Sequence, residues 1–247
     1  MTHTKLDVTT ADGTMDVYLH APAGSGPFPT VIIYPDAFGI RASMQDVGER
    51  LAKEGYLAVV VNTLYRSGDF APFNPKTAFN DPPERQRLMG YMGKADGASI
   101  MKDAQSLLDA LKKEPRAKSD HVAFMGYCMG GRLAFIAAST FGDRVALSAA
   151  FHPGRIVTDQ PDSPHLNVSN VKGRVYLGVA DNDQSFTPEA QATLKKVLDD
   201  SKVHYELEVY TDKLHGYAVT DSHVYDQAAN ERHWKKLLEL LKETLHT

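Results

Sequence analysis

The sequence has almost no cysteine and no long apolar run. Cys128 is the only cysteine among the 247 residues, so the chain cannot form an internal disulfide, which suits a reducing compartment. No apolar stretch approaches the roughly 20 residues that a membrane-spanning helix needs. Residues 1–13 also lack the apolar segment and the small-residue cleavage site of a secretory signal. We therefore expect a cytoplasmic protein that does not enter a membrane.

The sequence also lacks an excess of basic residues, with 27 Lys and Arg against 31 Asp and Glu. The formal net charge is −4 and the isoelectric point is about 6.2, and no basic arm or stripe is visible. Nucleic acid and anionic membranes are therefore not expected as partners. Neither G-x-x-x-x-G-K-[ST] nor G-x-G-x-x-G follows a strand, and no cluster of His, Cys and carboxylate residues has metal-ligand spacing. We expect no cofactor and no metal, and a small molecule as the partner.

The rest of the sequence alternates short apolar runs with helical patterns. A β-hairpin is predicted at residues 5–10 and 15–20. Further strands are predicted at residues 30–34, 57–61, 121–126, 145–150, 174–180 and 204–210, and helices at residues 43–54, 99–112, 131–141, 187–200 and from about 223. This alternation predicts an α/β fold with a mainly parallel central sheet and helices on both faces. One domain spanning residues 1–247 is expected.

Residues 62–98 interrupt this alternation. The segment carries several prolines and glycines, and a short helix is predicted at residues 82–92. A long excursion in a compact domain is usually functional or disordered, and ligands of open α/β sheets bind beyond the carboxyl ends of the strands. We expect the segment to form part of the wall of a binding site, although the sequence also allows a plain surface loop.

The most specific local motif is G-Y-C-M-G-G at residues 126–131, between a predicted strand and a predicted helix. It has the form of the G-x-S-x-G nucleophile elbow, with Cys128 in place of serine. The glycines are needed because side chains two residues before and after the nucleophile would collide with neighbouring chain. The helix N-terminus behind Cys128 favours negative charge, and the Met129 N–H points towards a developing oxyanion. We expect a nucleophile here rather than a small buried residue.

A cysteine nucleophile needs a base, and an acid that orients the base. In hydrolases with this elbow the chain order is nucleophile, acid, histidine. Asp181 and Asp183 follow one predicted strand, and His215 follows the next in the motif L-H-G-Y. The residues themselves leave both aspartates open as the acid. His152, in the motif H-P-G after another strand, is a further candidate for the pocket lining, and the pattern does not decide its place.

From about Lys5 to the final helix, the sequence resembles the dienelactone hydrolases (carboxymethylenebutenolidases). The resemblance rests on G-Y-C-M-G-G at 126–131, A-F-G at 37–39, E-R-Q-R at 84–87 and H-G-Y at 215–217. It implies a single α/β-hydrolase domain without a large cap. It also implies that a lactone or small carboxylic ester is hydrolysed through a thioacyl enzyme, by a triad of Cys128, His215 and Asp183, with Asp181 in reserve.

The resemblance extends to the oxyanion hole and to the thiol. It implies that the N–H of Ala37 joins that of Met129 as an oxyanion donor. The acidic residue before this position is a glutamate in well-known members, where it pairs with the resting thiol and helps to create the thiolate. Here it is Asp36, one methylene shorter. A part for Asp36 in thiol activation is therefore an expectation drawn from the family pattern.

Substrate recognition in the family uses arginines that hold a carboxylate, because a guanidinium matches a carboxylate through two parallel hydrogen bonds. One such arginine maps to Arg87, with a pocket tyrosine at Tyr91. The position of the second arginine holds Val219. This departure implies a larger or less charged substrate that contacts Val219, unless Arg41 or Lys94 compensates.

Two other functions stay open at this point. A thiol-dependent amidase or peptidase would use the same residues, although no extended peptide groove is indicated. A non-catalytic binding protein on the same fold is the other alternative, since a fold by itself establishes no activity. We expect a monomer or a small homo-oligomer, and the sequence does not choose between them.

Overall fold

A computed structural model describes residues 2–245. The strands are β1 (Thr2–Thr10), β2 (Gly13–Ala21), β3 (Phe28–Tyr34), β4 (Leu57–Val61), β5 (Ala117–Tyr127), β6 (Val145–Phe151), β7 (Arg174–Asn182) and β8 (Tyr205–Leu214). The α-helices are α1 (Ala42–Lys53), α2 (Pro82–Lys94), α3 (Gly97–Leu111), α4 (Met129–Phe141), α5 (Pro188–Asp200) and α6 (Gln227–Leu245). Each strand and helix predicted from the sequence is confirmed, with its ends displaced by a few residues.

All the strands form one sheet in the order β1-β2-β4-β3-β5-β6-β7-β8. The pairs β1–β2 and β2–β4 are antiparallel, and every pair from β4 to β8 is parallel. The predicted mainly parallel sheet is therefore confirmed. Because parallel strands end at the same edge, the segments that follow β3, β5, β6, β7 and β8 gather there, and ligands bind at such an edge.

Two apolar cores cover the two faces of the sheet. Along β3, Ile32 and Tyr34 pack on the side of α3, α4 and α5, whereas Val31 and Ile33 pack on the side of α1 and α6. This division follows from the alternation of side chains along a strand. Every residue of β4 is buried, as is typical of a strand with helices on both faces. Each fully buried aliphatic side chain contributes roughly 1.5–3 kcal/mol to stability.

The excursion at residues 62–98 covers the carboxyl end of β3. Its second half contains α2. Phe73, Ala78 and Leu88 from this segment form a small buried cluster with Ala37, which follows β3. The excursion is thus packed against the edge where ligands are expected, and residues 2–245 form no large cap over that edge.

The remaining predictions concern membrane spans, the number of domains and the location of the protein. Within residues 2–245, no helix is both long enough and apolar enough to cross a membrane. That the chain forms a single domain, and that it works in the cytoplasm, stay predictions.

The turn between β5 and α4 leaves no space for a side chain at its glycines. A Cβ atom on Gly130 would lie 2.0 Å from the carbonyl oxygen of Tyr34 and 2.4 Å from that of Pro35. A Cβ atom on Gly126 would lie 2.3 Å from the backbone of Gly130. The collisions expected from the sequence are confirmed, and the first turn of α4 packs directly on the chain that leaves β3.

We expect Gly130→Ala to destabilise the protein by about 1–3 kcal/mol or more, the usual cost of overpacking, because the new methyl group meets backbone oxygens. Gly93→Ala in α2 is the control, since a Cβ atom there meets nothing within 4 Å. It should keep the stability or raise it by roughly 0.5–1 kcal/mol, because alanine favours a helix over glycine. Urea unfolding followed by circular dichroism measures both. Equal midpoints for Gly130→Ala and wild type would contradict the argument.

Candidate active site

Cys128 occupies the turn between β5 and α4. Its backbone adopts φ 54° and ψ −116°, and such conformations cost of order 1–3 kcal/mol for a non-glycine residue. Its own N–H donates to the carbonyl oxygen of Phe151 at 3.0 Å, which anchors the turn to β6. Tyr127 and Met129 on either side are buried, whereas Cys128 is partly exposed. The fold therefore presents the thiol at the carboxyl edge of the sheet.

His215 and Asp183 form a hydrogen-bonded pair at the same edge. Nδ1 of His215, which follows β8, lies 2.6 Å from Oδ2 of Asp183, which follows β7. The Asp183 side chain is 2% exposed and the His215 side chain 31%. The other oxygen of Asp183 accepts from the N–H and the hydroxyl of Ser185, at 2.8 and 2.6 Å. Because Nδ1 faces Asp183, Nε2 is the ring nitrogen that is left to exchange a proton with another group.

Asp181 binds the backbone of β8 and not His215. Its carboxylate accepts from the N–H groups of Asp212 and Lys213, at 2.8 and 3.1 Å. These bonds hold the end of β8, where Asp212 has a φ of 58°. Of the two aspartates that the sequence left open, Asp183 is the one that contacts His215.

The charges of the site shift two pKa values in opposite directions. Burial acts to lower the pKa of His215, but the charge of Cys128 and the hydrogen bonds with Asp183 and Cys128 outweigh it and raise this pKa well above 6.5. For Asp183, burial acts to raise the pKa, and the hydrogen bond and charge of His215 outweigh it and lower the pKa. The arrangement therefore favours a charged His215 ring beside the Asp183 carboxylate, and an imidazolium can give a proton to a leaving group.

Two backbone N–H groups adjoin the turn. Met129 is the first residue of α4, so its N–H has no acceptor within the helix. Ala37 lies in the turn after β3, and its N–H donates to no group within the described chain. The close packing of Gly130 on Tyr34 and Pro35 brings these two segments together. The arrangement fits an oxyanion hole made by Ala37 and Met129.

Asp36, expected beside the thiol, is bound by Arg41 instead. Nη1 and Nη2 of Arg41 lie 2.7 and 2.8 Å from the two oxygens of Asp36. The same guanidinium donates to both oxygens of Asp221, at 2.6 and 2.9 Å, and to the carbonyl oxygen of Gly39 at 3.2 Å. All five N–H groups of Arg41 are used in these bonds, so it has no donor left for a substrate carboxylate. A part for Asp36 in thiol activation stays a prediction.

Arg87 and Tyr91 lie together on α2, as the family pattern implies. Arg87 donates to Glu84 at 2.8 and 3.2 Å, and its guanidinium lies 3.9 Å from the centre of the Phe73 ring. Tyr91 packs edge-on against the same ring, with centroids 5.6 Å apart. Together with Lys94, these two side chains line an open hollow of about 400 Å³. The expected carboxylate-binding groups thus share one surface, which no member of the candidate triad lines.

Val219, expected to contact the substrate, is 3% exposed. It packs in the core on the α1 and α6 side of the sheet, in the same cluster as Met44 and Trp234. It lines a separate cavity of about 150 Å³ between these helices. The expected contact is therefore corrected, because the chain after His215 turns inward and makes this position part of the core.

Similarity to known proteins identifies the family. The sequence model of the dienelactone hydrolase family matches residues 15–245. The chain belongs to the dienelactone hydrolase family. Among curated proteins, "Putative carboxymethylenebutenolidase" of Synechocystis sp. is 25% identical over 231 residues, which cover 92% of this chain and 91% of that protein. The family expected from the residues is thus confirmed.

Solved structures match the fold over nearly its whole length. The crystal structure of "Putative Dienelactone Hydrolase" from Klebsiella pneumoniae has a TM-score of 0.85 at 20% identity and 98% coverage of both chains. A dienelactone hydrolase-like promiscuous phosphotriesterase from metagenomic libraries has a TM-score of 0.82 at 24% identity, again with 98% coverage of both chains. At these identities the likeness shows the α/β-hydrolase fold alone, and it confirms the predicted fold class.

His152, whose place the sequence left undecided, lies beside His215 of the candidate triad. It is 1% exposed, and its ring centroid lies 5.1 Å from that of His215 and 5.3 Å from that of Tyr217. Neither ring nitrogen has a hydrogen-bond partner within residues 2–245. Burial, followed by the charges of His215 and His233, lowers its pKa well below 6.5. His152 is therefore a neutral ring against the candidate base.

In the described chain no three His, Cys, Asp or Glu residues group as a metal site.

Ser185 is a contact of the candidate triad that was not predicted from the sequence. Its hydroxyl lies 2.6 Å from Oδ1 of Asp183 and 3.1 Å from Nδ1 of His215. Its N–H also donates to Asp183, at 2.8 Å, which closes the short turn typical of Asp-x-Ser. The motif D-Q-S at residues 183–185 could have revealed this residue, because the turn is local in sequence.

Asp183→Asn should lower kcat/KM for an aryl ester by about 10³–10⁴-fold, because an asparagine favours the wrong tautomer of the histidine. Asp181→Asn is the matched control, two residues away, and should change the rate only a few-fold, because Asp181 binds backbone N–H groups and not His215. Initial rates on the two purified variants measure the difference. The reverse ranking would assign the orienting acid to Asp181.

His152→Phe should stabilise the folded protein by about 1–3 kcal/mol, the cost of a buried polar group without a partner, because phenylalanine keeps a ring at this place. The gain should grow below pH 6.5. Below this pH, His152 becomes protonated in the unfolded chain but stays neutral in the folded chain, because its folded pKa is well below 6.5. This difference lowers the free energy of unfolding of the wild type by up to about 1.4 kcal/mol per pH unit. Urea unfolding at about pH 5 and pH 8 measures both effects. A gain that does not increase at pH 5 would show that the ring is protonated in the folded state.

Proposed function

We propose that the chain hydrolyses a lactone or a small carboxylic ester, with Cys128 as the nucleophile, His215 as the base and Asp183 as the acid that orients it. One observation carries the proposal: the hydrogen-bonded pair of His215 and Asp183 lies at the edge where a strained turn presents the thiol. Membership of the dienelactone hydrolase family supports this chemistry, as does the carboxymethylenebutenolidase name of the Synechocystis relative.

The first half of the proposed reaction transfers the acyl group to sulfur. The Cys128 thiolate attacks the carbonyl carbon, and the electron pair of the C=O bond moves to oxygen, where the N–H groups of Ala37 and Met129 donate to it. Collapse of this intermediate breaks the bond to the alcohol oxygen, which takes a proton from Nε2 of His215. The product is a thioester on Cys128. An ester releases its alcohol at this step, whereas a lactone opens and keeps the hydroxyl on the bound acyl group.

The second half returns the thiol to its first state. The neutral His215 ring takes a proton from water while the water oxygen attacks the thioester carbonyl. Collapse breaks the C–S bond, releases the carboxylic acid product and restores the thiolate beside an imidazolium. Asp183 stabilises that cation in both halves, and its burial keeps it aligned with Nδ1.

The charged groups around the site limit the substrate. Arg41 is used by two carboxylates and Val219 is buried, so neither replaces the second arginine of the family. Arg87, with its side chain 26% exposed, remains beside Lys94 in the hollow on α2. We infer a substrate that carries one carboxylate, held at α2, or an uncharged ester.

Cys128→Ala should abolish hydrolysis of both an aryl ester and a dienelactone while the fold is kept, because no other side chain takes the place of the thiol. Iodoacetamide should inactivate the wild type with one label per chain, since Cys128 is the only cysteine. Cys128→Ser should keep a trace of activity, as serine is the weaker nucleophile here.

A control variant and an amide substrate complete these assays. His121→Ala removes an exposed histidine that contacts the carbonyl oxygen of Asp143, and it should leave the rates unchanged. The anilide of the same acyl group should be cleaved far more slowly than the ester. Full activity in Cys128→Ala would overturn the nucleophile, and faster cleavage of the anilide would make the chain an amidase.

A further inference from the structure

One guanidinium joins two loops that flank the candidate triad. The Arg41 side chain is 14% exposed and donates to both oxygens of Asp36 and both oxygens of Asp221, at 2.6 to 2.9 Å. Arg41 and Asp221 are 180 residues apart in the sequence. The hydroxyl of Ser43, in the first turn of α1, also donates to Asp221, at 3.0 Å. The contact is therefore a tertiary one that the fold assembles.

Each of these carboxylates belongs to a segment with a proposed catalytic group. Asp36 precedes Ala37, and its Oδ1 also accepts from the N–H of Phe38, at 3.0 Å. The turn that presents the Ala37 N–H is thus built on this carboxylate. Asp221 lies in the connection that runs from His215 to α6. One side chain, Arg41, consequently ties the oxyanion donor to the segment of the base.

We propose that Arg41 and Asp221 form a latch that holds the Ala37 oxyanion donor in register with His215. Arg41, Asp221 and Asp36 are then positioning residues, and Asp36 is not the proton acceptor of the thiol. The latch rests on the proposed thioester mechanism and adds to it the groups that set its geometry.

The charges in the latch favour the ion pairs of Arg41 with Asp36 and Asp221. Burial acts to lower the pKa of Arg41, but the hydrogen bonds and charges of Asp221 and Asp36 outweigh it and raise the pKa. Burial acts to raise the pKa of Asp221, and the bonds to Arg41 outweigh it and lower the pKa. The guanidinium is a planar fork that binds two carboxylates at fixed angles, which a lysine ammonium cannot reproduce.

Asp221→Asn and Arg41→Lys test the latch. The matched control is Glu231→Gln, because Glu231 makes an equivalent two-bond pair with Arg50, at 2.9 and 2.8 Å, between α6 and α1 and away from both loops. A misplacement of about 1 Å costs up to about 100-fold in rate. We therefore expect both latch variants to lower kcat by about 10- to 100-fold with KM nearly unchanged, and the control to change neither. An unchanged kcat in both latch variants overturns the proposal.

Alkylation of Cys128 by iodoacetamide across a range of pH separates the latch from thiol activation. If Asp36 accepts the thiol proton, Asp36→Asn moves the midpoint of the alkylation profile upward and Asp221→Asn does not. The latch predicts one common midpoint for wild type and both variants, with the kcat of Asp36→Asn reduced as in Asp221→Asn. An upward shift confined to Asp36→Asn overturns the proposal.

Amide hydrogen exchange examines the latch without catalysis. In Asp221→Asn, exchange should become faster in residues 35–41 and in residues 216–226 together, because one guanidinium holds both segments. Glu231→Gln should accelerate neither. Faster exchange confined to residues 216–226 overturns the latch. If the wild type hydrolyses no ester or lactone, the proposed function fails, and the exchange result still decides whether the latch exists.

Discussion

The contact between the first turn of α4 and the chain leaving β3 determines the geometry of the whole carboxyl edge. Gly130 lies so close to the carbonyl oxygens of Tyr34 and Pro35 that a methyl group does not fit. This closeness places the free N–H of Met129 beside the segment that carries Ala37. Both elements are fixed in turn by the apolar cores on the two faces of the sheet, which resist displacement because they are close-packed. The proposed oxyanion hole at this edge therefore depends on backbone packing, and side chains contribute to it only indirectly.

Around this contact, two carboxylates are neutralised by two different cations. Asp183 faces His215, and Asp36 faces Arg41. An imidazole changes its charge near neutral pH, whereas a guanidinium keeps its charge throughout. The two pairs therefore suit different tasks: the first can pass protons between thiol, substrate and water, and the second can only hold position. Of these two pairs, only the one with His215 can therefore change its charge near neutral pH.

The sequence predicted the parts of the molecule that depend on near neighbours. Strands, helices and the turn at 126–131 follow from periodicity and from one tight bend, so local patterns were sufficient. In the sequence, Asp181 and Asp183 have the same neighbours, because both belong to the motif D-N-D. Their different partners depend on the pairing of β7 with β8, whose register shifts between Ala180 and Asn182. The partner of Arg41 is 180 residues away, and the inward place of Val219 depends on the packing of α6. No local pattern carries that information.

Backbone strain is concentrated at the same edge. The non-glycine residues with positive φ in the described chain are Cys128, His152, Arg155, Lys202 and Asp212, and all but Lys202 lie in or just after β5, β6 or β8 at their carboxyl ends. In each of these four, the residue's own N–H is hydrogen-bonded to a neighbouring segment, at 3.0, 2.7, 3.0 and 2.8 Å. Such conformations persist only where the surroundings over-determine them. The partly exposed position of the thiol therefore depends on the parallel register of β5 and β6, because relaxing Cys128 would first break its bond to β6.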